Sequence, residues 1–212
     1  MSPSTDVVLV HGWAFDDSVW NKLHQPLLGP RTATVTNVSL GFFTDRPAAD
    51  PASLPADAIW IGHSLGALWA LEHAVSPRAI VAINGFACFH AFTARQVLGL
   101  MKRNIARDAP AQIRAFWSRA GAADYTDAGR LDGARLASGL DWLATWDART
   151  KVAATPVLAL AAADDAIVPI AASRSQWPRN SLRERADGGH VLPLTRPEWC
   201  AAEIGAFLDA LP

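Results

Sequence analysis

Four short apolar runs constrain this chain more than any other feature in it. They are Val7-Val8-Leu9-Val10, Ala58-Ile59-Trp60-Ile61, Ala79-Ile80-Val81-Ala82-Ile83 and Val157-Leu158-Ala159-Leu160-Ala161. Each is continuous rather than alternating, mainly aliphatic, and bounded by turn residues. That is the pattern of strands buried on both faces of a parallel sheet. Thr32 to Val38 adds another strand. Ser181 to Ala186 alternates Leu182, Glu184 and Ala186 with two arginines, as a more exposed edge strand does.

Helical patterns fall between these runs. Asp16 or Asp17 caps a helix that carries Val19, Trp20 and Leu23 and ends near Pro26. Leu65 to Val75 is apolar nearly all round, so that helix is expected to be buried, with Ser76-Pro77 stopping it. A last helix starts at Pro197 and buries Cys200, Ile204, Phe207, Leu208 and Leu211. Strands alternating with helices predict an α/β fold built on a mainly parallel sheet of about six strands flanked by helices.

One stretch breaks the alternation. From Ala87 to Thr150 there is no convincing strand. The pattern there is helical, over Thr93–Arg107, Pro110–Ala120, Thr126–Ala137 and Asp141–Trp146. The expected organisation is one domain: a core from residues 1–86 and 151–212, with residues 87–150 inserted as a helical cap. Ligands bind outside the carboxyl ends of strands in such sheets, which is where a cap belongs.

Composition excludes several classes of function. Net charge is −1, so no global field points to nucleic acid or an anionic membrane. No apolar run approaches the roughly 20 residues of a membrane span. Met1 to Val10 lacks the basic region and cleavage site of a signal peptide, so a soluble, cytoplasmic protein is expected; the oligomeric state is unknown from sequence, with a monomer the default. Cys88 and Cys200 offer neither metal-ligand spacing nor a disulfide framework, and are expected as small buried apolar residues. No metal and no organic cofactor is expected.

The chemistry-bearing motif is Gly62-His63-Ser64-Leu65-Gly66, a G-x-S-x-G pentapeptide. The pattern alone is common. Its setting, between a buried strand and a buried helix, is what a nucleophile elbow requires. There a serine sits on a strained turn at the carboxyl edge of the sheet, and the N–H of Leu65 points at the anion formed on the substrate. A serine hydroxyl needs a base. His190, in Asp187-Gly188-Gly189-His190, follows the last edge strand. The orienting acid lies after the Val157–Ala161 strand, where Asp164 and Asp165 compete; the D-x-x-V-P spacing to Val168 and Pro169 favours Asp165. The second oxyanion donor belongs to the loop after the first strand, and is assigned to the N–H of Trp13, with its indole walling the pocket. His11 is read as structural, His63 as packing, and His90 as lining the pocket from the base of the cap.

These residues — His11-Gly12-Trp13, Gly62 to Gly66, Asp165 to Pro169 and Gly189-His190 — resemble the α/β-hydrolase superfamily over nearly the whole chain. Within it the chain looks most like the pimeloyl-acyl carrier protein methyl ester esterases of biotin synthesis. The added points are Val19-Trp20 after the loop, Ser-Leu-Gly in the elbow, and the size of the helical cap. The chain matches the superfamily from its third strand, hence about six strands. Leu40 to Asp45 lacks the usual G-x-G-x-S turn, and Pro47, Pro51 and Pro55 leave little room for a full helix. The resemblance implies a serine carboxylesterase with the catalytic residues Ser64, Asp165 and His190. It also implies an acyl site lined by Trp13, Leu65, Phe116 and Trp117. The cap carries Arg95, Lys102, Arg103, Arg107, Arg114 and Arg119 against the single acid Asp108 between Arg95 and Arg119. Of these, Lys102, Arg103, Arg107 and Arg114 are the expected contacts for acidic acyl carrier protein; an ordinary solvated face explains the same charges. Two other readings stay open. One is a general short-chain carboxylesterase or thioesterase. The other is a non-catalytic small-molecule-binding protein on the same fold.

Overall fold

The computed structural model describes residues 5–27, 32–125 and 128–211. Its centre is a six-stranded sheet of β1 (Thr5–Val10), β2 (Thr32–Val38), β3 (Ile59–His63), β4 (Ala79–Ile83), β5 (Val157–Ala162) and β6 (Leu182–Arg185). The strand order is β2-β1-β3-β4-β5-β6. Every neighbouring pair is parallel. The continuous apolar runs follow from that position. Side chains alternate between faces along a strand, so a strand covered on both sides needs apolar residues at every position. Val8, Val10, Trp60, Ile80 and Ala159 pack into one core cluster. Val7, Leu9, Ile61, Val81 and Leu160 pack into another. β6, with its two middle residues exposed, is the edge that its alternation predicts.

Helices α1 (Asn21–Leu27) and α7 (Pro197–Asp209) cover the second face, burying Leu23, Cys200 and Ile204 beside Trp20. Asp16, rather than Asp17, caps the first turn by accepting from Ser18 N. Helix α2 (Leu65–His73) covers the first face, and its residues from Leu65 to Leu71 are all buried. It ends sooner than expected. Val75 lies beyond it and is 68 % exposed. Ala74 is already extended (φ −65°, ψ 124°) and Ser76 turns at positive φ, so the chain leaves the helix well before Pro77.

Between β4 and β5, no described residue belongs to a strand of the sheet. Helix α3 (Arg95–Ala120) breaks at Asp108 (φ −158°, ψ 85°). The two expected helices meet there. Asp108 accepts from Ala111 N at 2.9 Å, and Pro110 falls in the first turn of the second half, where its missing N–H costs nothing. Beyond it the expectation needs correction. Residues 126 and 127 lie outside the described residues. The pair Thr126–Ala137 and Asp141–Trp146 is replaced by one helix, α4 (Gly133–Thr145), capped by the Asp132 carboxylate on Arg135 N. Gly139 is required inside this helix because a Cβ there would stand 2.7 Å from the Trp13 ring and 3.0 Å from Phe42. The short helices α5 (Ile170–Gln176) and α6 (Leu192–Thr195) complete the chain. No described helix is long and apolar enough to cross a membrane.

The helical insert is tied closely to the loops after β1 and β2. Trp117 Nε1 donates to Ala14 O at 3.0 Å, and Trp13 Nε1 donates to Leu136 O at 2.9 Å. Arg135 Nε donates to Leu40 O at 2.7 Å. Tyr125 OH donates to the Asp16 carboxylate, which also accepts from Ser18 Oγ at 2.5 Å.

Candidate active site

Ser64 stands between β3 and α2 with φ 53° and ψ −121°, a conformation that a non-glycine residue holds only under constraint. The flanking glycines supply it. A Cβ on Gly62 would lie 2.3 Å from Ala67 N, and one on Gly66 would lie 2.0 Å from Val10 O. No side chain fits either gap, so strand and helix close around the serine. Ser64 N donates to Ile83 O at 3.0 Å, which pins the turn to the end of β4. Gly12 runs directly beside it, since a Cβ there would be 3.1 Å from Ser64 Cβ.

His190 comes to the serine from the turn after β6. Gly188 (φ 127°) and Gly189 (φ 63°) make that turn with backbone that other residues rarely adopt. His190 Nε2 lies 3.0 Å from Ser64 Oγ, and Nδ1 lies 2.8 Å from Asp165 Oδ2. The other Asp165 oxygen accepts from Ile167 N at 2.7 Å and Val168 N at 2.9 Å. Burial, the largest influence on Asp165, opposes ionisation. His190 and the two N–H groups outweigh it and hold the carboxyl below its ordinary range. Asp164 acts elsewhere. It accepts from Gly188 N at 3.2 Å and Gly189 N at 2.8 Å, and so shapes the histidine turn.

Two positions escaped the sequence reading. His63, taken as packing, lies 2.9 Å through Nε2 from His190 O. Its buried Nδ1 has no partner among the described residues. Asn84 ties the ends of two elements together, donating to Gly189 O at 2.6 Å and accepting from Ala162 N at 3.1 Å. Its place directly after a buried strand is the only local signal it carries.

The site opens into a cavity of about 480 Å³ whose wall includes Ser64, Trp13, Phe86, Phe89, Phe116 and Ile167. Phe116 is part of that wall. Trp117 is not. It is buried, points one step further round the helix, and spends its N–H on Ala14 O. The Leu65 side chain is also fully buried and absent from the cavity wall, so at the first turn of α2 only its backbone N–H is left to serve the site. His90 is not part of that wall; it turns to Cys88. Among the cations of α3, Lys102 is paired with Asp141 at 2.7 Å, whereas Arg103, Arg107 and Arg114 are exposed. Arg119 reaches the cavity and donates to Ala166 O at 3.0 Å.

A family model described as the alpha/beta hydrolase family matches residues 7–203. The chain belongs to the alpha/beta hydrolase family. Among curated proteins it is 29 % identical to the pimeloyl-[acyl-carrier protein] methyl ester esterase of Aromatoleum aromaticum, over 94 % of this chain and 96 % of that one. It is 30 % identical to a protein of the same name from a Shewanella species, over 77 % of this chain and 75 % of the other. Among solved structures, an esterase from Exiguobacterium antarcticum superimposes with a TM-score of 0.78 at 11 % identity, covering 99 % of this chain and 94 % of that one. At that identity the likeness speaks for the fold alone.

Two buried histidines are expected to make this alpha/beta hydrolase acid-sensitive. His11 accepts from Leu40 N at 3.0 Å, and burial lowers its pKa to about 4. Burial, followed by the charge of His190, lowers His63 to about 3. A histidine with a depressed folded pKa takes up its proton more readily in the unfolded chain. Its neutral form therefore supports the fold fully above 6.5, and that support drains away as the pH falls from 6.5 toward 4 for His11 and toward 3 for His63. The urea midpoint is expected to fall steadily through this window, and less steeply in His11→Asn. A flat midpoint between pH 6.5 and 4 would contradict two neutral buried rings.

Proposed function

We propose that this chain is a serine carboxylesterase that hydrolyses the methyl ester of a pimeloyl chain held on acyl carrier protein. At the coarser level it is a carboxylic ester hydrolase. The observation that carries the reading is the contact chain Ser64–His190–Asp165, with Ser64 in the wall of a largely aromatic and aliphatic cavity. A cavity of this kind suits an aliphatic acyl chain. The curated relatives bearing this name supply the substrate.

In the proposed mechanism His190 takes the Ser64 proton as Oγ attacks the ester carbonyl. The N–H groups of Trp13 and Leu65 hold the oxyanion. His190 then protonates the departing methanol, and water deprotonated by the same ring cleaves the acyl-enzyme. Asp165 keeps the ring oriented and stabilises its protonated form. Trp13 and Phe116, with ring centroids 4.9 Å apart, wall the acyl site. The insert over residues 87–150 serves as the cap.

The carrier protein docks on the exposed arginines of α3, Arg103, Arg107 and Arg114. Lys102, already neutralised by Asp141, contributes least. Reversing the three arginines to glutamate is expected to raise KM for the carrier-bound methyl ester about tenfold or more. Hydrolysis of p-nitrophenyl acetate should stay within about twofold. Equal loss on both substrates, or none on either, sinks carrier docking here and leaves a general short-chain esterase.

A further inference from the structure

We propose that Cys88, His90 and Asp147 form a binding site for a divalent transition metal of the zinc type, which ties together the two ends of the helical insert. The three residues lie away from the Ser64 chemistry. Cys88 and His90 stand on the loop that leaves β4, and Asp147 stands where the chain leaves α4 on its way to β5. One ligand atom from each lies within 4.8 Å of the others. Cys88 Sγ and His90 Nε2 are 3.4 Å apart. Sulfur and nitrogen bound to one tetrahedral zinc stand about 3.5 Å apart, given metal bonds of about 2.3 and 2.0 Å. The site is thus close to the spacing the metal needs.

The donor set selects the ion. A thiolate, an imidazole and one carboxylate suit zinc and its neighbours, whereas magnesium and calcium take oxygen alone. Three protein ligands leave a fourth position for water. As the metal–sulfur bond forms, the thiol proton leaves to solvent and the metal's oxidation state is unchanged.

The surroundings hold the ligands in place. Gln176 accepts from Ala87 N at 2.9 Å and Cys88 N at 2.8 Å, and donates to Cys88 O at 2.9 Å. The cysteine backbone is therefore fixed by a side chain from α5. Arg149 holds both oxygens of Asp147, Nε donating to Oδ1 at 2.8 Å and a terminal nitrogen to Oδ2 at 2.5 Å, so it orients the carboxylate and a metal would share one of these oxygens with it. Ala148 N donates to Ala87 O at 2.8 Å, so the entering and leaving segments already lie side by side. Cys88 is buried, but His90 is only partly so and Asp147 is exposed, which leaves an entry path. Phe89, between two of the ligands, lines the acyl cavity. Metal at this site therefore restrains one wall of the pocket without touching the reacting atoms.

The test uses the full chain, stripped with chelator and kept reduced, then titrated with Co²⁺ and with Zn²⁺. Expected are a thiolate-to-cobalt charge-transfer band that saturates at one equivalent, and a melting temperature raised by about 5 to 10 °C at a hundredfold excess of Zn²⁺ over its dissociation constant. Cys88→Ser should abolish the band. His90→Gln and Asp147→Asn should each weaken Zn²⁺ binding at least about tenfold. Cys200→Ala and Ser64→Ala should bind as the parent does, so the metal site stands or falls independently of the esterase reading. Absence of the band, its persistence in Cys88→Ser, or unchanged affinity in both His90→Gln and Asp147→Asn overturns the proposal. Should Cys88→Ser fail to fold, the exposed Asp147→Asn decides alone.

Discussion

Replacing Ser64 with alanine is expected to lower kcat/KM for p-nitrophenyl acetate by about 10⁴- to 10⁶-fold. The loss removes the nucleophile while sparing the architecture around it. The elbow is held by backbone bonds, Ser64 N to Ile83 O at 3.0 Å and Ala67 N to Ser64 O at 3.0 Å, and alanine keeps both. Alanine also meets the positive φ of 53° no worse than serine does. Melting temperature should therefore stay close to that of the parent, and labelling by a fluorophosphonate probe should vanish. Activity within tenfold of the parent would move the chemistry away from this pocket. It would also revive the reading of a binding protein on a hydrolase fold.

The two adjacent aspartates give the second large effect, because they touch different atoms. Asp165→Asn is expected to reduce kcat by about 10⁴-fold at neutral pH. An asparagine amide turned toward His190 Nδ1 donates instead of accepting. It moves the ring proton to Nε2, where it blocks removal of the serine proton. Asp164→Asn is expected to cost less than about tenfold, since its remaining carbonyl oxygen still accepts from Gly189 N, 2.8 Å away in the parent. The comparison of kcat values is the measurement. Equal losses in the two variants would show that the histidine turn, rather than the tautomer, governs the rate.

The fold was largely legible because its signals are local. A strand covered on both faces must be apolar at every position, and Ile59 to His63, Ala79 to Ile83 and Val157 to Ala162 are buried throughout. The elbow was legible for the same reason. Gly62 and Gly66 are demanded by contacts that close within one turn or against the adjacent strand. Where the reading failed, the cause lay at a distance or at a boundary. Val75 looked like part of a buried helix, yet the helix stopped two residues before it. Trp117 and Phe116 are neighbours in sequence, but a helical step of about 100° separates them, and only the packing of α3 decides which one meets the cavity. The ion pair of Lys102 with Asp141 joins two helices and left no trace in the charge pattern of either.

The sequence by itself determined that this chain builds a parallel sheet with a serine at the carboxyl edge, a histidine after the last strand and an acid after the one before. These follow from periodicity, glycine sterics and motif order. Only the tertiary structure decided which aspartate faces Nδ1, that His63 and Asn84 hold the histidine turn, and that Cys88, His90 and Asp147 meet at the root of the insert. The reason is the same in each case. Hydrogen bonds and ligand clusters depend on placing atoms of residues far apart in the chain to within a few tenths of an ångström, and no local pattern encodes that placement.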